Sequence, residues 1–112
     1  MADQSQFDSA IWQVVSNIPH GCVMSYGEVA RAAGFPRHAR MVSKAMSRSR
    51  MPLPWHRVLR SDGRIAFAIG SDVYEIQKNL LQREGLQVVD GKVSQGAEAS
   101  KAHLDQLLWQ LD

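Results

Sequence analysis

Few side chains in this 112-residue chain have the chemistry of a catalyst or a metal ligand. Cys22 is the sole cysteine, which rules out an internal disulfide and suits a reducing compartment. His20, His38 and His103 lack the spacing of metal ligands, and we expect them to be surface or packing residues. The sequence therefore predicts neither a metal site nor a cofactor.

The basic residues are concentrated in one part of the chain. Nine of the 13 Lys and Arg residues lie between Arg31 and Arg64, together with a single acid, Asp62. This window carries a formal charge of +8, although the whole chain carries only +2. Histidines and a tryptophan interleave with the charges, a mixture more typical of a nucleic-acid surface than of a solvated face.

Two short helices are predicted at the start of this window, the first of them beginning just before it. A capping box at residues 25–28 opens a helix that runs through Ala33 and ends at Gly34. After a turn at Phe35-Pro36, a second helix is expected from Arg37 to about Arg48. The pair predicts a helix-turn-helix. On the second helix one basic stripe is formed by Arg37, Arg40, Lys44 and Arg48, and we expect these four residues to bind DNA.

The remaining elements surround this motif. A first helix is predicted from Phe7 to Ile18, with Ser5 and Asp8 as its capping box. Other predicted elements are an extended piece at 22–24, hairpins at 58–66 and 88–93, a helix from Asp72 with Val73, Ile76, Leu80 and Leu81 toward the core, and a last helix carrying Leu104, Leu107, Leu108 and Leu111.

These elements predict a mainly α protein with short β-hairpins. We expect a single domain over residues 1–112, with a winged helix-turn-helix at 25–70. A hydrophobic content of 45% and a charged content of 21% are ordinary for a globular chain. No apolar run is long enough to span a membrane, and the first residues do not form a secretion signal.

The most distinctive segment is Leu53-Pro54-Trp55-His56-Arg57-Val58. It resembles the Pro-Cys-His-Arg motif of the O6-alkylguanine-DNA alkyltransferases. The resemblance extends to residues 26–30 and 36–40 upstream and to Glu84-Gly85 downstream, and covers roughly residues 7–93. It implies the fold of the DNA-binding, C-terminal domain of these enzymes. Tryptophan in place of cysteine is similar to the alkyltransferase-like proteins, the non-enzymatic branch of the family.

The substitution removes the reagent of the repair reaction. Alkyl transfer needs a thiolate, activated by a neighbouring histidine and a carboxylate behind it. His56 and Glu84 match that histidine and carboxylate, but an indole nitrogen only donates a hydrogen bond. Trp55 is therefore not an alkyl acceptor, and no catalytic residue is predicted. Cys22 matches no nucleophile in the family.

The resemblance also implies roles for other residues. A lesion pocket is expected from Trp55, Tyr26 and His56, with the indole offering a flat surface to a flipped base. Arg40 matches the arginine that enters the gap in the duplex, and Tyr26 matches the tyrosine that pushes the target's phosphate. The helix that carries Arg40 is then expected in the minor groove. Arg57 is expected to be structural, in a network with His56 and Glu84.

The chain departs from the enzymes at two places. Ser43-Lys44 stands where the enzymes commonly have a Gly-Gly pair, and Lys44 is expected either to add a phosphate contact or to narrow the approach to the groove. The stretch Phe67–Ser71, which corresponds to the pocket lid, is less polar than in the enzymes. An apolar lid suggests tolerance of bulky alkyl groups.

The expected function is a non-catalytic sensor that flips O6-alkylguanine in duplex DNA and flags it for nucleotide-excision repair. We expect a monomer without membrane partners, cytoplasmic and nucleoid-associated in a bacterium or nuclear in a eukaryote. One alternative is a winged-helix transcription regulator, for which only Arg37 offers major-groove readout at the start of the recognition helix. A second is an enzyme that uses His56 and Glu84 on water, which lacks a metal site or second nucleophile.

Overall fold

The computed structural model describes residues 3–95. Its helices are α1 (Gln4–Ser16), α2 (Tyr26–Ala32), α3 (Val42–Ser47) and α4 (Asp72–Arg83), and its strands are β1 (Met24–Ser25), β2 (Val58–Leu59), β3 (Leu86–Val89) and β4 (Lys92–Gln95). Short 3₁₀ helices span Ala39–Met41 and Trp55–Arg57. This is the predicted mainly α protein with short strands. The predicted helix at 104–111 lies outside the described residues, and the single domain over 1–112 stays a prediction.

Helix α1 begins earlier than predicted. The side chain of Asp3 caps it by accepting from the Gln6 amide at 2.8 Å, so the expected cap by Ser5 and Asp8 is wrong. Asp8 is instead buried on the core face of α1, and Arg48 donates two hydrogen bonds to it from Nε (2.7 Å) and Nη2 (2.8 Å). A charged pair therefore ties α1 to the end of α3.

Helix α2 begins and ends as predicted. The Ser25 hydroxyl accepts from the Glu28 amide and the Glu28 carboxylate accepts from the Ser25 amide, each at 3.1 Å. Gly34 adopts a φ of 92° just after the helix, a left-handed conformation that side chains other than glycine disfavour. The Phe35 amide then donates to the Ala30 carbonyl at 2.8 Å, which closes the end.

The segment after α2 is less regular than the single helix predicted from Arg37 to Arg48. Phe35 and His38 both pack against Phe7 of α1, and this contact holds residues 35–38 in a turn. Only Ala39–Met41 and then Val42–Ser47 are helical. The helical stretch therefore begins two residues later than predicted and starts as a 3₁₀ turn, because residues 35–38 form a turn packed against α1.

The strands pair differently from one of the predicted hairpins. Strand β2 pairs in parallel with β1, with Met24 opposite Val58 and Ser25 opposite Leu59. A tight turn does form at 60–64, but the residues after it bridge to Lys92 of β4 rather than to β2. The hairpin at 58–66 is therefore wrong, whereas the predicted hairpin at 88–93 is present as antiparallel β3 and β4.

Two apolar clusters meet at β2. Val58 belongs to the cluster formed with α1, α2 and α3, and its neighbour Leu59 belongs to the cluster under α4 and the β3–β4 hairpin. Because successive side chains of a strand point to opposite faces, one two-residue strand joins both cores. The backbone on either side of β2 is thereby fixed between the two clusters.

Helix α4 buries Leu81 as predicted but otherwise turns a different face to the core. It buries Tyr74, Gln77 and Leu81, while Val73 and Ile76 are 40% and 52% exposed. The amide of Gln77 donates to the carbonyls of His56 (2.9 Å) and Val58 (3.2 Å). A polar residue therefore takes a core position because it satisfies backbone acceptors of the segment that carries Trp55. No helix of the described part of the chain is long and apolar enough to cross a membrane.

Candidate nucleic-acid interface

Trp55 begins a short 3₁₀ helix that follows Pro54 and leads into β2. Its ring is half-buried and meets two other rings edge to face. The Phe67 centroid lies 6.4 Å away at an interplanar angle of 84°, and the His56 centroid lies 6.3 Å away at 86°. These contacts hold the indole in one orientation while part of its surface remains open.

That open surface lines a cavity of about 290 Å³, which we call the Trp55 cavity. Its other walls are Tyr26, Ser43, Met46, Ser47, Leu53 and Phe67. A second cavity, the Arg40 cavity, has a volume of about 450 Å³ and is lined by Tyr26, Gly27, Ala39, Arg40, Ser43, Arg60, Ser61, Ala66 and Phe67. The two share Tyr26, Ser43 and Phe67, so they adjoin along those side chains. Both are mainly apolar, and the Arg40 cavity also carries two arginines.

Tyr26 therefore stands at the border between the two cavities. It is the first residue of α2, so its position is fixed by the capping box at Ser25 and by the pairing of β1 with β2. Burial raises the pKa of its hydroxyl, which indicates a poorly hydrated environment. The hydroxyl thus stays neutral and can donate or accept a hydrogen bond there.

Behind Trp55 lies a network centred on the carboxylate of Glu84. Arg57 donates to it from Nε (3.0 Å to Oε1) and Nη2 (2.8 Å to Oε2), and the amide of Gly21 donates to Oε1 at 2.8 Å. Nη1 of Arg57 also donates to the carbonyl of Ile18 at 2.8 Å. The network therefore joins α4, the loop after α1 and the Trp55 segment.

The ionisation state of Glu84 fixes the role of His56. Burial alone would raise the pKa of Glu84, but the hydrogen bonds from Arg57, Gly21 and His56 outweigh it and hold the pKa at about 2. An ionised carboxylate only accepts hydrogen bonds. At a separation of 2.6 Å, the Nε2 atom of His56 must therefore be the donor to Oε2 of Glu84.

In this arrangement His56 and Glu84 have no cysteine thiol next to them that they could activate. Trp55 stands next to His56 in the chain, and among the described residues no cysteine lines either cavity. Cys22 packs against the apolar cluster around α1. Within residues 3–95 no group of three or more histidine, cysteine or acidic side chains could hold a metal ion.

The four basic residues of the predicted stripe are not equivalent. Arg40 lines the Arg40 cavity, whereas Arg37 and Lys44 are exposed and line neither cavity. Arg48 is held by Asp8, and this hydrogen-bonded pair lowers the pKa of Asp8. Arg37 precedes the 3₁₀ turn and so lies outside the helical residues, and DNA binding by these four residues stays a prediction.

Arg60 and Ser61 were missed by the sequence analysis, although both line the Arg40 cavity. Arg60 is part of the basic window, and this was the available signal. Its approach to Tyr26 depends on the parallel pairing of β1 with β2, which hydrophobic patterns do not reveal. Phe67, expected only as part of an apolar lid, is a wall of both cavities and a neighbour of the Trp55 ring.

Comparisons with known proteins agree with this architecture. Residues 6–86 match the family described as 6-O-methylguanine DNA methyltransferase, DNA binding domain. The chain is 40% identical over 90 residues to the DNA base-flipping protein of Escherichia coli (strain K12), covering 79% of this chain and 68% of that protein. It is 33% identical over 106 residues to Alkyltransferase-like protein 1 of Schizosaccharomyces pombe, covering 93% and 94%. The crystal structure of S. pombe Atl1 in complex with damaged DNA containing O6-carboxymethylguanine matches with a TM-score of 0.72 and 34% identity, covering 86% and 93%.

Proposed function

This chain belongs to the family of the 6-O-methylguanine DNA methyltransferase DNA-binding domain, and we propose that it is a non-catalytic sensor of O6-alkylguanine in duplex DNA. It flips the damaged guanine out of the duplex and holds it in the Trp55 cavity. The ligand class is supported by the S. pombe relative, which has been crystallised with damaged DNA, and by the E. coli relative, which is named a DNA base-flipping protein.

The observation that carries the proposal is the placement of Trp55. By resemblance to the family's Pro-Cys-His-Arg motif, Trp55 takes the place of the acceptor cysteine, and its open face lines a cavity beside Tyr26. O6 of a stacked guanine lies inside the duplex, so a protein must extrude the nucleotide to bind it there. An indole face can stack on the extruded base, which is worth roughly 1–3 kcal/mol.

The absence of catalysis follows from the same position. His56 donates to an ionised Glu84, an arrangement that in the enzymes would serve a thiol. Here the neighbouring side chain is an indole, which neither ionises nor attacks an alkyl carbon under these conditions. The two residues therefore serve stability and pocket shape.

A sensor that cannot repair needs a second system to act on its complex. We propose that a monomer of this protein marks the lesion for nucleotide-excision repair, as its resemblance to the alkyltransferase-like proteins implies. A transcription regulator, the alternative from the sequence, would instead prefer a defined sequence over a damaged base.

One pair of measurements tests the proposal. Matched duplexes with and without a single labelled O6-methylguanine are compared by gel shift, and the protein is then examined for transferred label. We expect tighter binding to the damaged duplex, with all of the label remaining in the DNA. Equal binding to both duplexes would refute the proposal that the protein recognises the lesion. Labelling of Cys22 or any other residue would refute the proposal that it does not transfer the alkyl group.

Trp55 itself can be separated from the other tryptophans. Trp55→Ala should reduce the preference for damaged over undamaged duplex by about 1–3 kcal/mol, because stacking is lost, while general affinity changes less. Lesion binding should quench tryptophan fluorescence, and Trp55→Phe should remove most of this change. Trp12 is half-buried and donates from its indole nitrogen to the Ala45 carbonyl at 2.6 Å, so it serves as a reference fluorophore that lines neither cavity. Quenching that persists in Trp55→Phe would place the base elsewhere.

A further inference from the structure

The parallel pairing of β1 with β2 brings together two residues that the sequence separates by 34 positions. Because Ser25 lies opposite Leu59, the next residues in the same register are Tyr26 and Arg60. Each residue directly follows the last residue of its strand, so both lie at the same end of the parallel pair. Both also line the Arg40 cavity. The residue expected to act on the target's phosphate thus has an arginine beside it.

The backbone that carries Arg60 is held on both sides. The Arg60 amide donates to the Arg64 carbonyl and the Gly63 amide donates to the Arg60 carbonyl, each at 2.9 Å. Gly63 has a φ of 80°, which this tight turn requires. The far side of the turn is fixed to β4, where the Val93 amide donates to the Gly63 carbonyl at 2.9 Å.

The side chain of Arg60, in contrast, is only weakly held. It is 57% exposed, and among the residues that the structure describes it forms an ion pair only with Asp62, at 3.5 Å between Nη2 and Oδ2. Asp62 is itself exposed and is shared with Arg64 at 3.8 Å. Exposed ion pairs of this kind contribute little to stability. A phosphate can therefore replace Asp62 as the partner of Arg60 at small cost, while the rigid turn keeps the guanidinium at the cavity.

We propose that Arg60 binds the phosphate that flanks the flipped nucleotide, on the side where Tyr26 displaces it. Arg40 and Arg60 then hold the DNA from two walls of one cavity, and Arg60 stabilises the backbone in its displaced position. The planar guanidinium suits this role, because it can bind two phosphate oxygens at once. This inference rests on the proposed function, since it assumes that a nucleotide is flipped past Tyr26.

The experiment measures binding of Arg60→Ala, Arg60→Lys and wild type to duplexes with one O6-methylguanine. One duplex has a natural backbone, and two others carry a single uncharged methylphosphonate immediately 5′ or 3′ of the lesion. Arg83→Ala is the control, because Arg83 is exposed at the end of α4 and lines neither cavity. Thermal unfolding of each variant confirms that it is folded.

On the natural duplex, Arg60→Ala should bind about tenfold more weakly than wild type, as expected for one charge-assisted contact. The salt slope should fall by about one, and Arg60→Lys should recover part of the affinity. On one of the methylphosphonate duplexes, wild type should weaken by a similar factor and Arg60→Ala should lose nothing further. Arg83→Ala should match wild type throughout.

A penalty for Arg60→Ala that is the same on all three duplexes would overturn the proposal, as would the absence of any penalty. Failure of the proposed function is a separate outcome, since wild type would then bind damaged and undamaged natural duplexes equally. If wild type binds the lesion selectively and replacement of Arg60 has no effect on binding, only the proposed phosphate contact of Arg60 is refuted.

Discussion

Replacement of Glu84 by alanine is expected to reduce the free energy of unfolding by about 3 kcal/mol or more, which is a large part of the stability of a small domain. The carboxylate is the common acceptor for Arg57, His56 and the Gly21 amide. Its removal leaves the Arg57 guanidinium, whose side chain is 16% exposed, without its partner charge. Urea unfolding followed by circular dichroism measures the loss.

The same carboxylate should make the fold sensitive to acid. Its pKa in the folded protein is about 2, below that of an ordinary carboxyl group. The resulting stabilisation is complete above about pH 5 and is lost as the pH falls toward 2, because the unfolded chain then binds a proton more readily. Glu84→Gln should therefore be less stable near pH 7 and should have a flatter acid limb than wild type.

Two comparisons make this pH dependence specific. Glu75→Gln changes an exposed acid on α4 and should leave the acid limb unchanged. Asp8 contributes in the same direction, since hydrogen bonding and charge from Arg48 lower its pKa, so some acid sensitivity should remain in Glu84→Gln. If the free energy of unfolding falls equally with decreasing pH in wild type and in Glu84→Gln, the Glu84 network is not the source of the acid sensitivity.

The sequence predicted best where local chemistry alone determines the structure. The capping box of Ser25 and Glu28 and the stop at Gly34 define α2 without help from distant residues. The fold class is also confirmed, because several motifs in a fixed order identify the family over residues 6–86. The roles assigned to individual site residues remain predictions.

The predictions failed where the structure depends on contacts between residues that are far apart in the sequence. Strand β2 is two residues long and takes its partner from β1, which no local hydrophobic pattern specifies. Gln77 takes a core position on α4 because it donates to backbone carbonyls near Trp55, whereas Ile76 remains half exposed. Arg48 pairs with Asp8, a residue 40 positions away, and no local pattern indicates this contact.

Arg40 is the residue whose replacement should affect lesion binding most. It is exposed and lines the cavity next to Tyr26, where it is placed by the 3₁₀ helix Ala39–Met41 rather than by a long recognition helix. Extruding a base costs a few kcal/mol of stacking and pairing. A side chain that fills the gap recovers part of this free energy, and the planar guanidinium can also bond the orphaned base.

Two replacements separate gap filling from simple phosphate binding. If Arg40 fills the gap, both Arg40→Ala and Arg40→Lys should bind O6-methylguanine duplex much more weakly, by on the order of 2–3 kcal/mol for alanine. If it only contacts a phosphate, Arg40→Lys should bind nearly as well as wild type. Arg37→Ala is the control, because Arg37 is exposed and outside the cavity, so its loss should weaken damaged and undamaged duplexes equally.

Fluorescence of a base analogue beside the lesion reports flipping directly, and it can also be used to test Tyr26. Tyr26→Phe deletes only the hydroxyl, whereas Tyr26→Ala also deletes the ring that would crowd the target's phosphate at the border of the two cavities. We expect the alanine change to reduce flipping more. If Arg40 holds the flipped state and Tyr26 drives entry into it, the double variant Arg40→Ala with Tyr26→Ala should not flip the base. Normal flipping by that double variant would exclude this mechanism, even if the protein still bound damaged DNA.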